Sequence, residues 1–385
     1  MRRTVFSSDH EAFRRMIRDV IAAEVVPVYR DWEEAGQVPR DFYRRLGELG
    51  IFGIEVPEEY GGAGERSFMY QAVLTEELCR AAVSFGGSAV HAGLCLPYLL
   101  AYATEEQKRR WLPPFVTGEM MTAIAMTEPG TGSDLAGIRT SARLSDDGGH
   151  YVLNGAKTFI TGGAQADRVL VVARTAPPAA GDRRAGLTIL AVDARSEGFT
   201  VGRKLDKLGL LASDTVELSF TGVRVPVTDR LGEEGQAFSY LTSNLPRERL
   251  LIALLAYGQS AAAVRLATDY VRERTVFGRP VASFQHTKFV LADCQAAVAA
   301  MRALVDDALA ACDAGELTPA GAATVKLFVT EQSARVVDSC LQLHGGYGYM
   351  REYPVSRLYA DNRVTRIYGG TSEIMRAITA KDMGL

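Results

Sequence analysis

The spacing of hydrophobic residues divides the chain into three parts. In the first 120 or so residues, apolar side chains recur at three- and four-residue steps, as over residues 13–21, which is typical of amphipathic helices. From about Gly118 to Gly235 the pattern becomes short apolar runs between turn residues, such as residues 169–173 and 187–192, which indicate strands. The helical period then returns in long segments rich in alanine, leucine and valine, which predict a helical bundle.

This pattern predicts a multidomain α+β protein. We expect an all-α N-terminal domain over residues 1–120, a middle β domain (a sandwich or barrel) over residues 121–232, and a C-terminal four-helix bundle over residues 233–385. Asn154 and Gly155 are flanked by apolar runs and predict a hairpin turn, and residues 176–184 predict an exposed loop. In the last domain the predicted helices cover residues 245–276, 284–313, 319–342 and 372–381.

Composition and charge exclude several classes of protein. With 46 acidic and 43 basic residues, a net charge of −3 and 47% hydrophobic residues, the chain is a globular protein without the basic excess of a nonspecific nucleic-acid binder. The five cysteines and five histidines show no metal-ligand spacing, so we expect no metal and free thiols in a reducing compartment. No signal peptide and no membrane span are predicted, so we expect a cytoplasmic protein.

Five segments carry candidate chemistry, although each has an ordinary structural interpretation when taken alone. These interpretations are a polar turn, a core aromatic residue, arginines at a helix C-terminus, and glycine turns beside a helix. In the last segment, Gly370 precedes Thr371 or Ser372 as a predicted N-cap, and such a helix N-terminus is a natural anion site. The common nucleotide-binding and hydrolase motifs are absent. The segments are residues 125–134, 154–163, 270–280, 341–349 and 367–376.

In order and spacing, these segments resemble the acyl-CoA dehydrogenase family over nearly the whole chain. The α, β, α order, obtained from periodicity, agrees with the architecture of that family. The resemblance implies bound FAD, an acyl-CoA thioester as substrate, an electron-transferring flavoprotein as acceptor and assembly as a homotetramer. It also implies that part of each FAD site comes from the neighbouring subunit.

The resemblance further implies which residues contact these ligands. Among them, Arg274, Phe284 and Gln285 match positions that reach FAD across a subunit boundary, and Phe284 stands where some members carry histidine. The implied substrate-binding residues are Ser133, Arg247, Arg249 and Tyr368. The implied FAD-binding residues are Met126, Thr127, Gly132, Ser133, Phe159, Ile160, Thr161, Arg274, Phe277, Phe284, Gln285, Gln342, Leu343, Gly345, Gly346, Gly370, Thr371 and Glu373.

The catalytic base has to be found outside the usual position. Many family members carry a glutamate after the tyrosine of the last segment, but this chain has Gly369 there, which keeps only its backbone N–H. The long-chain and isovaleryl types instead place the glutamate on a helix of the C-terminal domain, and residues 244–251 match that arrangement. The resemblance therefore implies Glu248 as the base and Gly369 as a backbone donor. The alternative for Glu248 is a solvated carboxylate on a helix surface, between Arg247 and Arg249, and the alternative for Arg249 is a surface ion-pair partner.

Three functions follow as hypotheses. The first is an FAD-dependent acyl-CoA dehydrogenase in fatty acid metabolism. The second keeps the scaffold but works as an acyl-CoA oxidase or enoyl-CoA reductase, and the third is a non-catalytic acyl-CoA-binding scaffold. The sequence leaves the length, branching and terminal group of the acyl chain open.

Overall fold

The structure, a computed structural model, describes residues 3–178 and 181–385. Residues 1–2 of the predicted N-terminal domain and 179–180 of the predicted exposed loop lie outside this range. The N-terminal part is helical, as predicted, and Ser7 begins its first helix by accepting a hydrogen bond from the His10 N–H. Its helices are α1 (Ser8–Val20), α2 (Tyr29–Ala35), α3 (Arg40–Glu48), α4 (Met69–Ala81), α5 (Leu96–Tyr102) and α6 (Glu105–Val116).

The middle part is a β domain whose strands form one mixed sheet in two halves. The strand order is β6-β7-β3-β2-β4-β5-β8, with β1 parallel to β4. Among the described residues, the two halves are joined by one pair, Ser141 with Arg174, and both halves contribute to a shared buried core. The strands are β1 (Thr122–Ala125), β2 (Ser141–Leu144), β3 (His150–Thr161), β4 (Arg168–Arg174), β5 (Leu187–Asp193), β6 (Phe199–Lys204), β7 (Thr215–Pro226) and β8 (Arg230–Leu231).

The predicted hairpin at Asn154 and Gly155 is wrong, because β3 runs through both residues. Gly155 has φ +146° and lies at a shift in the register between β3 and β7. A Cβ at Gly155 would lie 2.8 Å from the Thr140 Cα, so glycine is needed there for close backbone approach. The turn before β3 is formed instead by residues 145–150.

The C-terminal part is a bundle in which α7, α8 and α9 pack together and α10 and α11 complete it. Helix α7 begins at Ala237, earlier than predicted, and contains the buried Pro246. Within the described chain, α7 alone is long and apolar enough to cross a membrane by composition, and 67% of its most apolar window is buried. The elements are α7 (Ala237–Glu273), β9 (Thr275–Val276), β10 (Arg279–Pro280), α8 (Gln285–Asp313), α9 (Pro319–Leu343), α10 (Pro354–Asn362) and α11 (Ser372–Asp382).

Polar contacts tie the three parts into one molecule. The Leu210 N–H, in the loop before β7, donates to the Asp361 carboxyl in α10. Burial raises the pKa of that carboxyl to about 6. Arg357 in α10 forms an ion pair of 2.8 Å with Glu33 in α2. The C-terminal bundle is thereby fixed against the β domain and the N-terminal helices.

Candidate functional site

Glu248 lies inside the protein, on the side of α7 that meets the N-terminal helices. The residue is only 6% exposed, and the Tyr98 hydroxyl in α5 donates a hydrogen bond of 3.2 Å to its Oε1. Burial raises the pKa of the Glu248 carboxyl to about 7, although the Tyr98 hydrogen bond and the Arg249 charge act in the opposite direction. The alternative of a solvated surface carboxylate is therefore wrong. A carboxylate with a pKa near neutrality is suited to accept a proton.

Gly369 packs directly against the side of α7 that carries Glu248. It has φ +63°, and a Cβ built there would lie 2.3 Å from the Ile252 Cδ1. Ile252 follows Glu248 by four residues, so the two share one face of the helix. A side chain at position 369 would therefore require the Ile252 side chain to move and would have to take a positive φ, whereas the adjacent helix face presents a carboxylate.

The turn formed by residues 368–370 is held by two buried cations. The Lys326 ammonium in α9 donates to the Tyr368 carbonyl at 2.5 Å and also to the Gly370 carbonyl. The Arg249 Nε lies 3.5 Å from the Gly369 carbonyl oxygen between them. Lys326 is 1% exposed, and burial, together with the Arg249 charge, lowers its pKa to about 8. Lys326 was not predicted from the sequence, where its only signal is a single cation in an apolar stretch of a long helix.

A second buried lysine supports residues 126–134, the part of the first predicted segment (125–134) that carries the implied flavin contacts. The Lys157 ammonium in β3 donates to the Met126 carbonyl at 2.9 Å and to Glu128 Oε1 at 3.0 Å. The Thr158 N–H also bonds the Thr127 carbonyl at 3.0 Å. These contacts bring the first two predicted segments together. Lys157 and Glu128 were not predicted as site residues.

Phe159 is held in an unusual position on β3. It is 66% exposed and has φ +60°, at a shift in the register between β3 and β7. Positive φ is costly for a bulky residue, so such strain points to function. Its neighbour Ile160 is buried, and Thr161 is half-buried. The strand thus presents an exposed aromatic side chain beside the 126–134 loop, where Gly132 and Ser133 are also exposed.

The other predicted flavin contacts lie at the far end of the bundle. Arg274 follows Glu248 by 26 residues, which is roughly 39 Å along the helix at about 1.5 Å per residue. The Arg274 guanidinium lies 5.7 Å from the centre of the Tyr347 ring, which brings this segment beside the glycine-rich residues 342–346. Phe277 is 95% exposed and lies 6.4 Å from the Phe284 ring. This group also includes Gln285, Gln342, Leu343, Gly345 and Gly346.

The remaining predicted residues lie at the start of α11 and on α7. Thr371 is the N-cap of α11 and accepts a hydrogen bond from the Ile374 N–H, as predicted. Its neighbours Gly370 (φ +99°) and Glu373 flank that helix start. Arg247 forms an ion pair with Glu55, and its substrate contact stays a prediction.

Tyr368 also keeps its substrate contact only as a prediction. Its side chain is half-buried, and burial, with the charges of Asp361 and Cys79, raises the pKa of its hydroxyl. The backbone of Tyr368, by contrast, is directly held by Lys326.

Known protein families and relatives match this chain over nearly its full length. The acyl-CoA dehydrogenase N-terminal domain matches residues 7–119, the middle domain residues 123–223 and the C-terminal domain residues 235–384. The mitochondrial long-chain specific acyl-CoA dehydrogenase of Sus scrofa is 41% identical over 381 residues, covering 99% of this chain and 88% of its own. The 3-(aryl)acrylate reductase of Clostridium sporogenes is 37% identical, covering 98% of this chain and 99% of its own.

Solved structures also match this chain over nearly its full length. The crystal structure of acyl-CoA dehydrogenase from Geobacillus kaustophilus matches with a TM-score of 0.95 and 43% identity, over 99% of both chains. The acyl-CoA dehydrogenase from Bacillus anthracis, solved in complex with FAD, matches with a TM-score of 0.90 and 31% identity. That match covers 98% of this chain and 67% of the other.

Proposed function

Because the chain belongs to the acyl-CoA dehydrogenase family of oxidoreductases, we propose that it binds FAD and oxidises an acyl-CoA thioester to the trans-2-enoyl-CoA. The family and the three-domain fold predicted from the sequence are confirmed by these matches. The observation that carries the proposed mechanism is the packing of Gly369 against the helix face that bears the buried Glu248. The base therefore comes from the helix and not from the turn.

The residues of the two predicted flavin regions fit FAD. The exposed and strained Phe159 offers an aromatic surface next to the polar 126–134 loop. The exposed Arg274, Phe277, Gly345 and Gly346 offer a cation, an aromatic ring and accessible backbone for a diphosphate and an adenine. When bound, FAD supplies the acceptor for the hydride that leaves the β-carbon of the substrate.

Glu248 takes the proton from the α-carbon in this mechanism. A proton leaves as the C–H bond breaks, and its electron pair forms the new double bond as the hydride departs from the β-carbon. The carboxylate has to be deprotonated to act, and burial holds its pKa at about 7. Entry of the acyl chain would remove further water and raise this pKa, which makes the carboxylate a stronger base.

The backbone of the 368–370 turn supplies the complementary donor. Within the described chain, the N–H groups of Gly369 and Gly370 have no hydrogen-bond acceptor. An N–H fixed in a partly buried site can polarise the thioester carbonyl as an oxyanion-hole donor does. Polarisation makes the α-proton more acidic and so brings it within reach of a carboxylate base.

The distance of Arg274 from the proposed base supports a site built from two subunits. Glu248 and Arg274 lie roughly 39 Å apart along α7 at about 1.5 Å per residue, which is farther than one FAD molecule reaches. The exposed group around Arg274 would then serve the cofactor of a neighbouring copy. We propose a homo-oligomer, with the tetramer of the family as its form, in the cytoplasm.

The direction of electron flow separates the main proposal from its alternative. For the dehydrogenase we propose an electron-transferring flavoprotein as acceptor. The similarity to the reductase of C. sporogenes favours one alternative, in which the reduced enzyme hydrogenates an enoyl thioester and protonated Glu248 returns the α-proton. The same residues carry both directions by microscopic reversibility.

The test is anaerobic titration of the purified, FAD-loaded enzyme with acyl-CoA esters of medium, long, branched and dicarboxylic chains. We expect at least one ester to bleach the flavin absorption band. Protein that takes up no flavin would support the scaffold hypothesis and contradict the proposal. Peroxide formation in air would identify an oxidase, and rapid reoxidation of reduced flavin by enoyl-CoA without bleaching by acyl-CoA would identify a reductase.

A further inference from the structure

We propose that Lys326 is a positioning residue, which orients the 368–370 turn so that the Gly369 N–H points to the thioester oxygen. This inference rests on the proposed function. Lys326 touches neither substrate nor cofactor in this account, because it acts through the Tyr368 and Gly370 carbonyls that it bonds. Its role is therefore to fix the direction of a backbone donor.

Peptide geometry links the lysine to that donor. In a planar trans peptide, the N–H points opposite to the carbonyl of the same unit, and no peptide bond of the described chain is cis. Since the Tyr368 carbonyl points at Lys326, the Gly369 N–H points away from α9. The same argument applies to the next peptide unit. Its carbonyl, that of Gly369, faces Arg249, so its N–H, that of Gly370, points away from Arg249.

The surroundings of Lys326 argue against a purely structural role. It is almost fully buried, and no carboxylate of residues 3–178 or 181–385 lies within ion-pair distance of it. A buried, unpaired cation is unfavourable, and a methionine of similar length would fill the space without that cost. What the lysine adds over methionine is its hydrogen bonds to the two carbonyls.

Helix α9 also holds the flanks of the turn. Glu331, five residues after Lys326, accepts hydrogen bonds from Arg366 at 3.0 Å and from the Ser372 hydroxyl at 2.6 Å. Arg366 precedes the turn and Ser372 begins α11. These contacts hold the residues before and after the turn, and Lys326 fixes the direction of the peptide units between them.

The test compares two ligands on the FAD-loaded, full-length enzyme. One is a trans-2-enoyl-CoA, and the other is the matched thioether, in which a CH₂ group replaces the carbonyl. Calorimetry gives the affinity of each, and their ratio reports the contact to the thioester oxygen. We expect the wild type to bind the thioester more tightly than the thioether. In Lys326→Met this preference should fall about three- to tenfold, which corresponds to one hydrogen bond, and the affinity for the thioether should stay unchanged.

Two further variants keep the result interpretable. Lys326→Gln has a shorter side chain that cannot span both carbonyls, so it is expected to lose preference as well, and it gives a result if Lys326→Met does not fold. Thr330→Val is the matched control, because Thr330 is buried in the same helix and bonds only the Lys326 carbonyl within it. We expect Thr330→Val to keep the wild-type ratio.

The outcomes separate this inference from the proposed function. A folded, flavin-containing Lys326 variant that keeps the wild-type preference would overturn the positioning role, even if the variant were less stable. A wild-type enzyme that binds neither ligand would overturn the proposed function, and the inference with it. Loss of preference together with unchanged thioether affinity is the result that the inference requires.

Discussion

Two buried lysines each hold a turn of the candidate site, and they differ in what balances their charge. Lys157 in the β domain bonds the Met126 carbonyl and the Glu128 carboxylate. Within the described chain, Lys326 in the C-terminal bundle bonds only carbonyl oxygens, and the charge that acts on it is that of Arg249. Burial lowers the pKa of both lysines to about 8. The β domain therefore holds a compensated pair, whereas the bundle holds like charges.

This difference indicates where each lysine has its effect. Removing one member of a buried ion pair leaves the other charge uncompensated, so Lys157 mainly supports folding. Removing Lys326 leaves only carbonyl groups without a donor and relieves its repulsion with Arg249. We therefore expect the loss of Lys157 to appear in stability, and the loss of Lys326 to appear in the recognition of the thioester.

The largest expected effect is that of Lys157→Met on the free energy of unfolding. It removes the ion-pair partner of the buried Glu128 and should cost about 3–5 kcal/mol in chemical denaturation at pH 7. Lys326→Met should cost much less, and adding Glu128→Gln to Lys157→Met should recover part of the loss. Equal losses of unfolding free energy in the two lysine variants would contradict the different roles of Lys157 and Lys326.

Gly369→Ala tests how tightly the 368–370 turn packs against α7. The added Cβ meets the Ile252 Cδ1 and takes a positive φ, so we expect a loss of about 1–3 kcal/mol and slower flavin reduction by substrate. Combining it with Ile252→Ala removes the collision and should restore part of the reduction rate. An alanine at 369 that changes neither stability nor rate would show that the turn does not press on the helix.

Tyr98→Phe should have the smallest effect, confined to the pH profile. The Tyr98 hydroxyl stabilises the deprotonated form of Glu248, so its loss raises the pKa of that carboxyl above about 7. The base must be deprotonated, so the acid limb of kcat/KM should move to higher pH by about one unit. The rate should fall near pH 6 and stay close to wild type near pH 9. An unmoved acid limb would mean that the limb does not report Glu248.

The sequence predicted the larger organisation of the molecule well. The hydrophobic residues change from a helical to a strand spacing and back, and this change predicted the α, β, α order. The spacing is informative because it follows the buried face of each helix or strand. The resemblance then pointed to Glu248, and its burial agrees with a catalytic base. An N-cap at Thr371 or Ser372 was also predicted, and the structure has it at Thr371, since capping depends on residues close together in the chain.

The supporting residues could not be predicted because they act across long separations in sequence. Tyr98 and Glu248 meet from α5 and α7, and Lys326 reaches a turn more than 40 residues later. The prediction of a hairpin at Gly155 was wrong for the same reason. Glycine is needed there because Thr140 packs closely against it, and not because the chain turns. Local patterns carry no record of such contacts.

The most direct test of the central claim is the rate of anaerobic flavin reduction by an acyl-CoA substrate in Glu248→Gln. Glu24→Gln is the control, because it makes the same change at a half-buried ion pair with Arg45 in the N-terminal helices. We predict that Glu248→Gln keeps its flavin and binds substrate but is reduced at least about 10²-fold more slowly, whereas Glu24→Gln matches wild type. Reduction of Glu248→Gln at the wild-type rate would contradict the assignment of Glu248 as the base.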